Sequence, residues 1–214
     1  MDKKNLYQHP KAPISLLIYS FLEYFAPLVG VVILVAMGGY FDKSTILKWA
    51  EGSFFVFYFW VAIFVPIITY FLFTNKIRSY DGTEESLEKV SKIAKLYIAI
   101  SMFVPIALNV VFILWNEFSH TIPTDGGRGL AIALCCVGST TLLALVFYIL
   151  FLQKFEKWQK FIPQKEKYQS MSLMARSLLV GFFTVGGTMC VAVAPLLVDV
   201  GIPNLQRFFT TSLP

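Results

Sequence analysis

One carboxylate stands alone in an apolar stretch: Glu23, inside ISLLIYSFLEYFAPLVGVVILVAM at residues 14 to 37, with Pro27 one helical turn later. An acid at mid-depth of a bilayer costs roughly 2.5 to 3.5 kcal/mol on insertion scales, so a helix carrying one turns it toward other helices or a wet cavity. No Lys or Arg lies deep enough in an apolar run to pair with it. The expected state is a neutral carboxyl bonded to a hydroxyl or an amide. The intramembrane polar groups available are Asn109, Ser139, Thr140, Thr141, Thr184 and Thr188. Glu23, Asn109, Thr184 and Thr188 are accordingly the candidate ligand- or proton-sensing residues. A buried acid is equally used as interhelical glue, and both uses stay open at this point. Catalysis wants a convergent nucleophile and base, or a metal cluster, and the apolar runs offer none, so no catalytic residue is assigned and the chain is read as not an enzyme. No metal or cofactor is expected either. His9 and His120 have no second histidine or carboxylate at ligand spacing and are read as solvated loop residues.

The elements that must position these residues are helices spanning a membrane. Of the 214 residues 57% are hydrophobic and 14% charged, against about 25% charged in a soluble domain. The expectation is an all-α, polytopic transmembrane bundle forming a single membrane domain. Its five spans fall at about 14–37, 54–74, 96–115, 130–152 and 178–198. Each has the roughly 20 apolar residues that a helix needs to cover about 30 Å of hydrocarbon. In the first span Ser20, Glu23, Pro27 and Gly30 share one face, expected to look inward, while Leu16, Leu22, Val29 and Ile33 are expected to point elsewhere. The first span is too long for a signal-peptide core, and it is read as retained.

Between spans the segment 38–53 reads as a connection ending near Trp49, a residue favoured at the bilayer surface. The stretch after the second span is the best-marked local signal. Asp81-Gly82 makes a turn, Thr83 caps, Glu84 and Glu85 occupy the first helical turn, and Glu85/Lys89 and Glu88/Lys92 are i,i+4 pairs. This predicts a cytoplasmic amphipathic helix near 83–95 that leads into the third span. The loop 116–129, with Gly126, Gly127 and Gly129, is turn chemistry, because a phosphate cradle needs a preceding strand. Phe151, Phe155, Trp158 and Ile162 recur at helical spacing beside Lys154, Lys157 and Lys160, which predicts an interfacial continuation of the fourth helix near 151–162.

Orientation follows from basic residues. Lys3, Lys4, Lys11, Lys76, Arg78, Lys89, Lys92, Lys95, Lys154, Lys157, Lys160, Lys165, Lys167 and Arg176 fall on one side; Lys43, Lys48, Arg128 and Arg207 fall on the other. The positive-inside rule then makes the N-terminus cytoplasmic in a plasma (inner) membrane. Five spans would leave the residues after the last one outside, so a sixth span is expected to follow. The formal charge of +5 is read as attraction to anionic lipid at the cytoplasmic loops rather than to nucleic acid. Small residues four apart, Ala131, Cys135 and Ser139, and again Gly186, Cys190 and Ala194, read with Gly30 as close helix-packing positions. Such seams also allow a homo-oligomer. The cysteines Cys135, Cys136 and Cys190 lie inside spans and read as packing residues.

Two stretches, YDGTEESLEKVSKIAKL and FEKWQKFIPQKEKYQSMSLMARSLLVGFF, resemble the multi-span N-terminal membrane region of some bacterial methyl-accepting chemotaxis receptors. Similar anchors occur in some membrane-bound adenylate cyclases. The resemblance implies a membrane sensory or anchoring domain of a signal-transduction protein, with the output domain absent from this chain. The chain departs from that family in having no HAMP-type linker, methylated helical hairpin or cyclase domain, so no site residue is carried over. The alternative is a small multi-span transporter or channel subunit in which Glu23 and Asn109 line a path between helices kinked at Pro27, Pro66, Pro105 and Pro195.

Overall fold

The computed structural model describes residues 9–39, 43–119, 128–163 and 173–200. Among them every regular element is helical: α1 Ile14–Met37, α2 Lys43–Ala50, α3 Ser53–Ile77, α4 Glu84–Ser119, α5 Arg128–Ser139, a π-helical turn Thr140–Ala144, α6 Leu145–Trp158, a 3-10 turn Gln159–Phe161, and α7 Leu173–Val200. Five of these runs are long and apolar enough to cross a membrane: α1, α3, α4, α5 through α6, and α7. The protein is a multi-pass membrane protein.

The span of α1 is about 36 Å at 1.5 Å per residue, enough for its 24 residues to cover the hydrocarbon. It is the central element, packed against α3, α4, α5, the π turn and α6, while α7 lies outside against α5 and the π turn. Its inward face carries Ser20, Glu23, Pro27 and Gly30, all buried. Leu16, expected to point elsewhere, is fully buried on that same face. It stands one turn before Ser20, so helical geometry places it there; Val29 and Ile33 face outward as expected.

Two further differences concern the connections. The segment after α1 contains a short helix, α2, and its Trp49 is buried against Phe112. The amphipathic stretch and the third span are one unbroken helix, α4, of 36 residues. It starts at a built cap: Asp81 Oδ1 accepts from the Thr83 amide (2.9 Å) and hydroxyl (2.7 Å), and Thr83 Oγ1 accepts from the Ser86 amide at 3.2 Å. These bonds hold the exposed Asp81 carboxyl below the usual carboxylate range. The i,i+4 bridges Glu85–Lys89 (2.7 Å) and Glu88–Lys92 (2.8 Å) form on the exposed face.

The core divides into two apolar clusters. One lies toward α2 and contains Tyr24, Val31, Val35, Trp49, Tyr58, Phe112, Ala131 and Cys136. The other lies toward the N-terminal end of α1 and contains Leu16, Phe73, Leu87, Tyr97, Phe151, Phe155 and Trp158. The aromatic stripe of α6 belongs to this second cluster. Phe151 and Phe155 are fully buried, with Tyr97 of α4 edge-on to both.

The expectations for Lys3, Lys4, His120, Gly126, Gly127, Lys165, Lys167 and Arg207 fall outside the described residues, as does the side chain of Arg176.

Candidate functional site

The buried and half-buried polar groups fall in four layers along α1. Nearest the start of α1, residues 9–13 form an extended strap across the ends of α3 and α6. The Trp158 indole N–H donates to the Pro10 carbonyl at 2.9 Å, and the Tyr70 hydroxyl donates to the Ala12 carbonyl at 2.8 Å. His9 Nε2 donates to the Tyr80 carbonyl at 2.7 Å, and its ring stacks on Phe161 with centroids 4.4 Å apart. His9 is thus half-buried and held, not the solvated loop residue its isolated position in sequence suggested.

Above the strap, Ser20 of α1 and Ser101 of α4 are each 1% exposed, and the Tyr97 hydroxyl is buried without a hydrogen-bond partner. Tyr97 lies near enough to Glu23 for the two to interact electrostatically.

Glu23 forms the next layer. It is 1% exposed, and its Oε2 has no hydrogen-bond partner. A buried polar atom without a bond costs about 1–3 kcal/mol, which sets Glu23 apart from the bonded hydroxyls around it. Glu23 borders a partly open, mostly apolar cavity of about 30 Å³, lined also by Met102, Ile106, Thr140, Thr141, Ala144, Leu145, Tyr148 and Phe183. A cavity of this size exceeds the roughly 10–15 Å³ that one water requires. The opposite wall is the π turn. In an α-helix, four-residue steps drift around the axis. The wider turn absorbs that drift and keeps Cys136, Thr140, Ala144 and Tyr148 on one buried face. Such insertions often mark functional positions. The Thr140 hydroxyl donates to the Cys136 carbonyl at 2.7 Å, and the Thr141 hydroxyl to the Val137 carbonyl at 2.8 Å.

The fourth layer is closed. Asn109 Nδ2 donates to the Pro105 carbonyl at 2.9 Å and, more weakly, to the Tyr58 hydroxyl at 3.4 Å; that hydroxyl in turn donates to the Tyr24 carbonyl at 3.2 Å. Asn109 therefore ties α3, α4 and α1 together and does not line the Glu23 cavity. The candidate pair is not brought into one site.

Thr184 and Thr188 lie on the exposed side of α7, with the Thr188 hydroxyl bonded to the Thr184 carbonyl at 2.8 Å, and neither joins Glu23. The packing positions divide in the same way. Ala131, Cys135 and Ser139 are buried, and Ser139 donates to the Pro27 carbonyl at 2.6 Å across from Gly30. A Cβ on Gly30 would meet Ser139 Oγ and Leu143. On α7, Ala194 is buried and Cys190 half-buried, but Gly186 is exposed, and a Cβ there would have nothing within 4 Å. The close approach falls one residue on, at Gly187, against Thr141 and Leu142 of the π turn. Four-residue spacing allowed either glycine, and only the rotation of α7 about its axis selects between them.

The π turn, the strap and the partner of Tyr58 had no direct sequence signal. Thr140 and Thr141 did stand out as intramembrane hydroxyls. Among the described residues no group of three His, Cys, Asp or Glu side chains converges as a metal site. Comparison with protein-family models, curated proteins and solved structures finds no match to this chain.

Proposed function

We propose that the chain is a membrane sensory domain of a signal-transduction protein, with the strap end cytoplasmic in a plasma membrane and Glu23 as its sensing group. The observation that carries this reading is the unpartnered Glu23 Oε2, buried at a cavity whose opposite wall is the π turn. The π turn belongs to the same continuous helical run as Trp158, and Trp158 holds the strap through Pro10. A change of occupant at Glu23 that tightens or widens the π turn shifts the register of α6 and so the strap contact. This is a spatial argument for coupling, made through one rigid element.

Transport is the competing reading, and the packing weighs against it. Toward α2 the core beyond Glu23 is closed by the Asn109–Tyr58–Tyr24 layer and then by Val31, Val35, Phe54 and Phe112. The exposed Lys76, Lys95, Lys154, Lys157 and Lys160 at the strap end suit an anionic leaflet, and the resemblance to receptor membrane regions points the same way. The test is flux. Proteoliposomes containing the chain are loaded with sodium, potassium or a pH dye, and release is compared with Glu23→Gln. The sensory reading expects no release above empty vesicles in either case; release that depends on Glu23 replaces it with transport.

A further inference from the structure

At the strap end the backbone carbonyls are already in use. Those of Pro10 and Ala12 accept from Trp158 and Tyr70, and that of Tyr80 accepts from His9. Where α3 ends, the Thr74 carbonyl accepts from the Arg78 amide, the Lys76 carbonyl from the Ser79 amide and hydroxyl, and the Ile77 carbonyl from the Tyr80 amide. The Arg78 guanidinium is left with one long hydrogen bond, from Nη2 to the His9 carbonyl at 3.5 Å. Its Nε is buried without a partner, and among the described residues no carboxylate forms an ion pair with it. A guanidinium has five N–H donors and does not lose its charge, so a half-buried one without a counter-ion is costly. The strap beside it is fixed, because the His9 ring stacks on Phe161 and Tyr80 with centroids 4.4 and 5.8 Å away.

We infer that Arg78, at the edge of the strap, docks the phosphate of an anionic phospholipid. The site lies apart from Glu23, and the inference does not depend on the role of that residue. Position selects a lipid. Arg78 directly follows α3, whose 25 residues cover the hydrocarbon, and the strap directly precedes α1, so both stand where a span leaves the apolar layer and headgroups begin. Geometry selects phosphate, since the guanidinium fork matches two oxyanion oxygens at once. Charge selects a lipid with a net negative headgroup. Lys11 in the strap and Lys76 in the last turn of α3 are exposed and add to the positive field, which a zwitterionic headgroup, carrying its own ammonium, answers less well. A phosphate on Arg78 would supply the acceptor that the strap carbonyls do not. This is a discrete site, distinct from the diffuse attraction of exposed lysines to an anionic leaflet.

The experiment is a melting series on the full chain in an uncharged detergent at fixed pH and ionic strength, with phosphatidylglycerol, phosphatidylcholine or inorganic phosphate titrated in. Binding to the folded state raises Tm by roughly 5 °C or more at a hundredfold excess over Kd. Phosphatidylglycerol should give that shift, and the other two should give much less. Arg78→Gln should abolish the difference between the two lipids. Arg78→Lys keeps the charge but loses the fork, and should reduce it. Lys95→Gln removes an exposed charge from α4 and should leave the shift in place, which separates a site from net charge. Equal shifts with both lipids, or a phosphatidylglycerol shift that survives Arg78→Gln, overturn the inference. A loss in Lys95→Gln as large as that in Arg78→Gln also overturns it, in favour of diffuse attraction. Inorganic phosphate acting as strongly as phosphatidylglycerol overturns the lipid assignment and makes the occupant a soluble oxyanion. Should Arg78→Gln fail to fold, Arg78→Lys decides, and an undiminished shift in that variant overturns the inference.

Discussion

Adjacent glycines on α7 should respond to the same substitution with opposite signs. Gly187→Ala places a Cβ against Thr141 Oγ1 and at 3.0 Å from Leu142 Cγ, while Gly186→Ala places one with nothing within 4 Å. The Thr141 hydroxyl cannot simply rotate aside, because it is bonded to the Val137 and Gly138 carbonyls. Overpacking of a close contact costs about 1–3 kcal/mol. Replacing glycine by alanine in a helix returns up to about 1 kcal/mol at either position. Gly186→Ala is therefore expected to be neutral or stabilising by up to about 1 kcal/mol, and Gly187→Ala to be destabilising by up to about 2 kcal/mol. The propensity contribution cancels in the difference, which isolates the α7 contact at about 1–3 kcal/mol. Equilibrium unfolding in mixed micelles with increasing sodium dodecyl sulfate measures both. Equal effects, or a larger loss for Gly186→Ala, would show that α7 is rotated so that Gly186, Cys190 and Ala194 form the seam.

Further outcomes follow from the other layers. Tyr58→Phe removes both the bond to the Tyr24 carbonyl and the acceptor for Asn109; it should lower stability by about 1–2 kcal/mol. A double-mutant cycle with Asn109→Leu should show coupling, and strict additivity would remove the closed polar layer. At the start of α4, the Asp81 carboxyl is held below its ordinary range by Thr83, so its contribution is fully present above about pH 4, the ordinary carboxylate pKa. It is lost as the pH falls through the lower folded value. Hydrogen exchange in the first turn of α4 should speed up in that acid window for the native chain, and a Thr83→Ala variant, which keeps only the amide bond to Asp81, should show a smaller effect. For topology, a thiol at Ser44 should react with an impermeant reagent in intact cells while one at Ser86 is shielded. The reverse pattern would invert the orientation.

The five spans were legible because each is a long apolar run, and in a bilayer that property alone decides helix and span. The inward turn of Glu23 was legible for the same reason: a lone acid has one tolerable direction. Leu16 was misplaced because its apolar character allows either face, and only its spacing from Ser20 settles the matter. Gly186 and Gly187 show the limit of small-residue spacing, which finds a packing helix without fixing its rotation. The site itself was half legible. Thr140 and Thr141 carried a chemical mark as hydroxyls in a span, but nothing local distinguishes a sequence that makes a π turn there. Asn109 carried the same kind of mark and is a structural tie, since Tyr58, 51 residues away in sequence, meets it in space. The strap is invisible in sequence because its anchors, Tyr70 and Trp158, donate to backbone carbonyls, which any residue provides.

The most direct test of the sensory reading asks whether Glu23 communicates with the strap. Lys11 and Lys160 are exposed on the two sides of the Trp158–Pro10 contact. Replaced by cysteine and spin-labelled in a background lacking Cys190, they report the strap distance in lipid vesicles by pulsed electron resonance. The reading predicts that Glu23→Gln shifts or broadens the Lys11–Lys160 distance distribution relative to the native carboxyl. Superimposable distributions for the two proteins would contradict it.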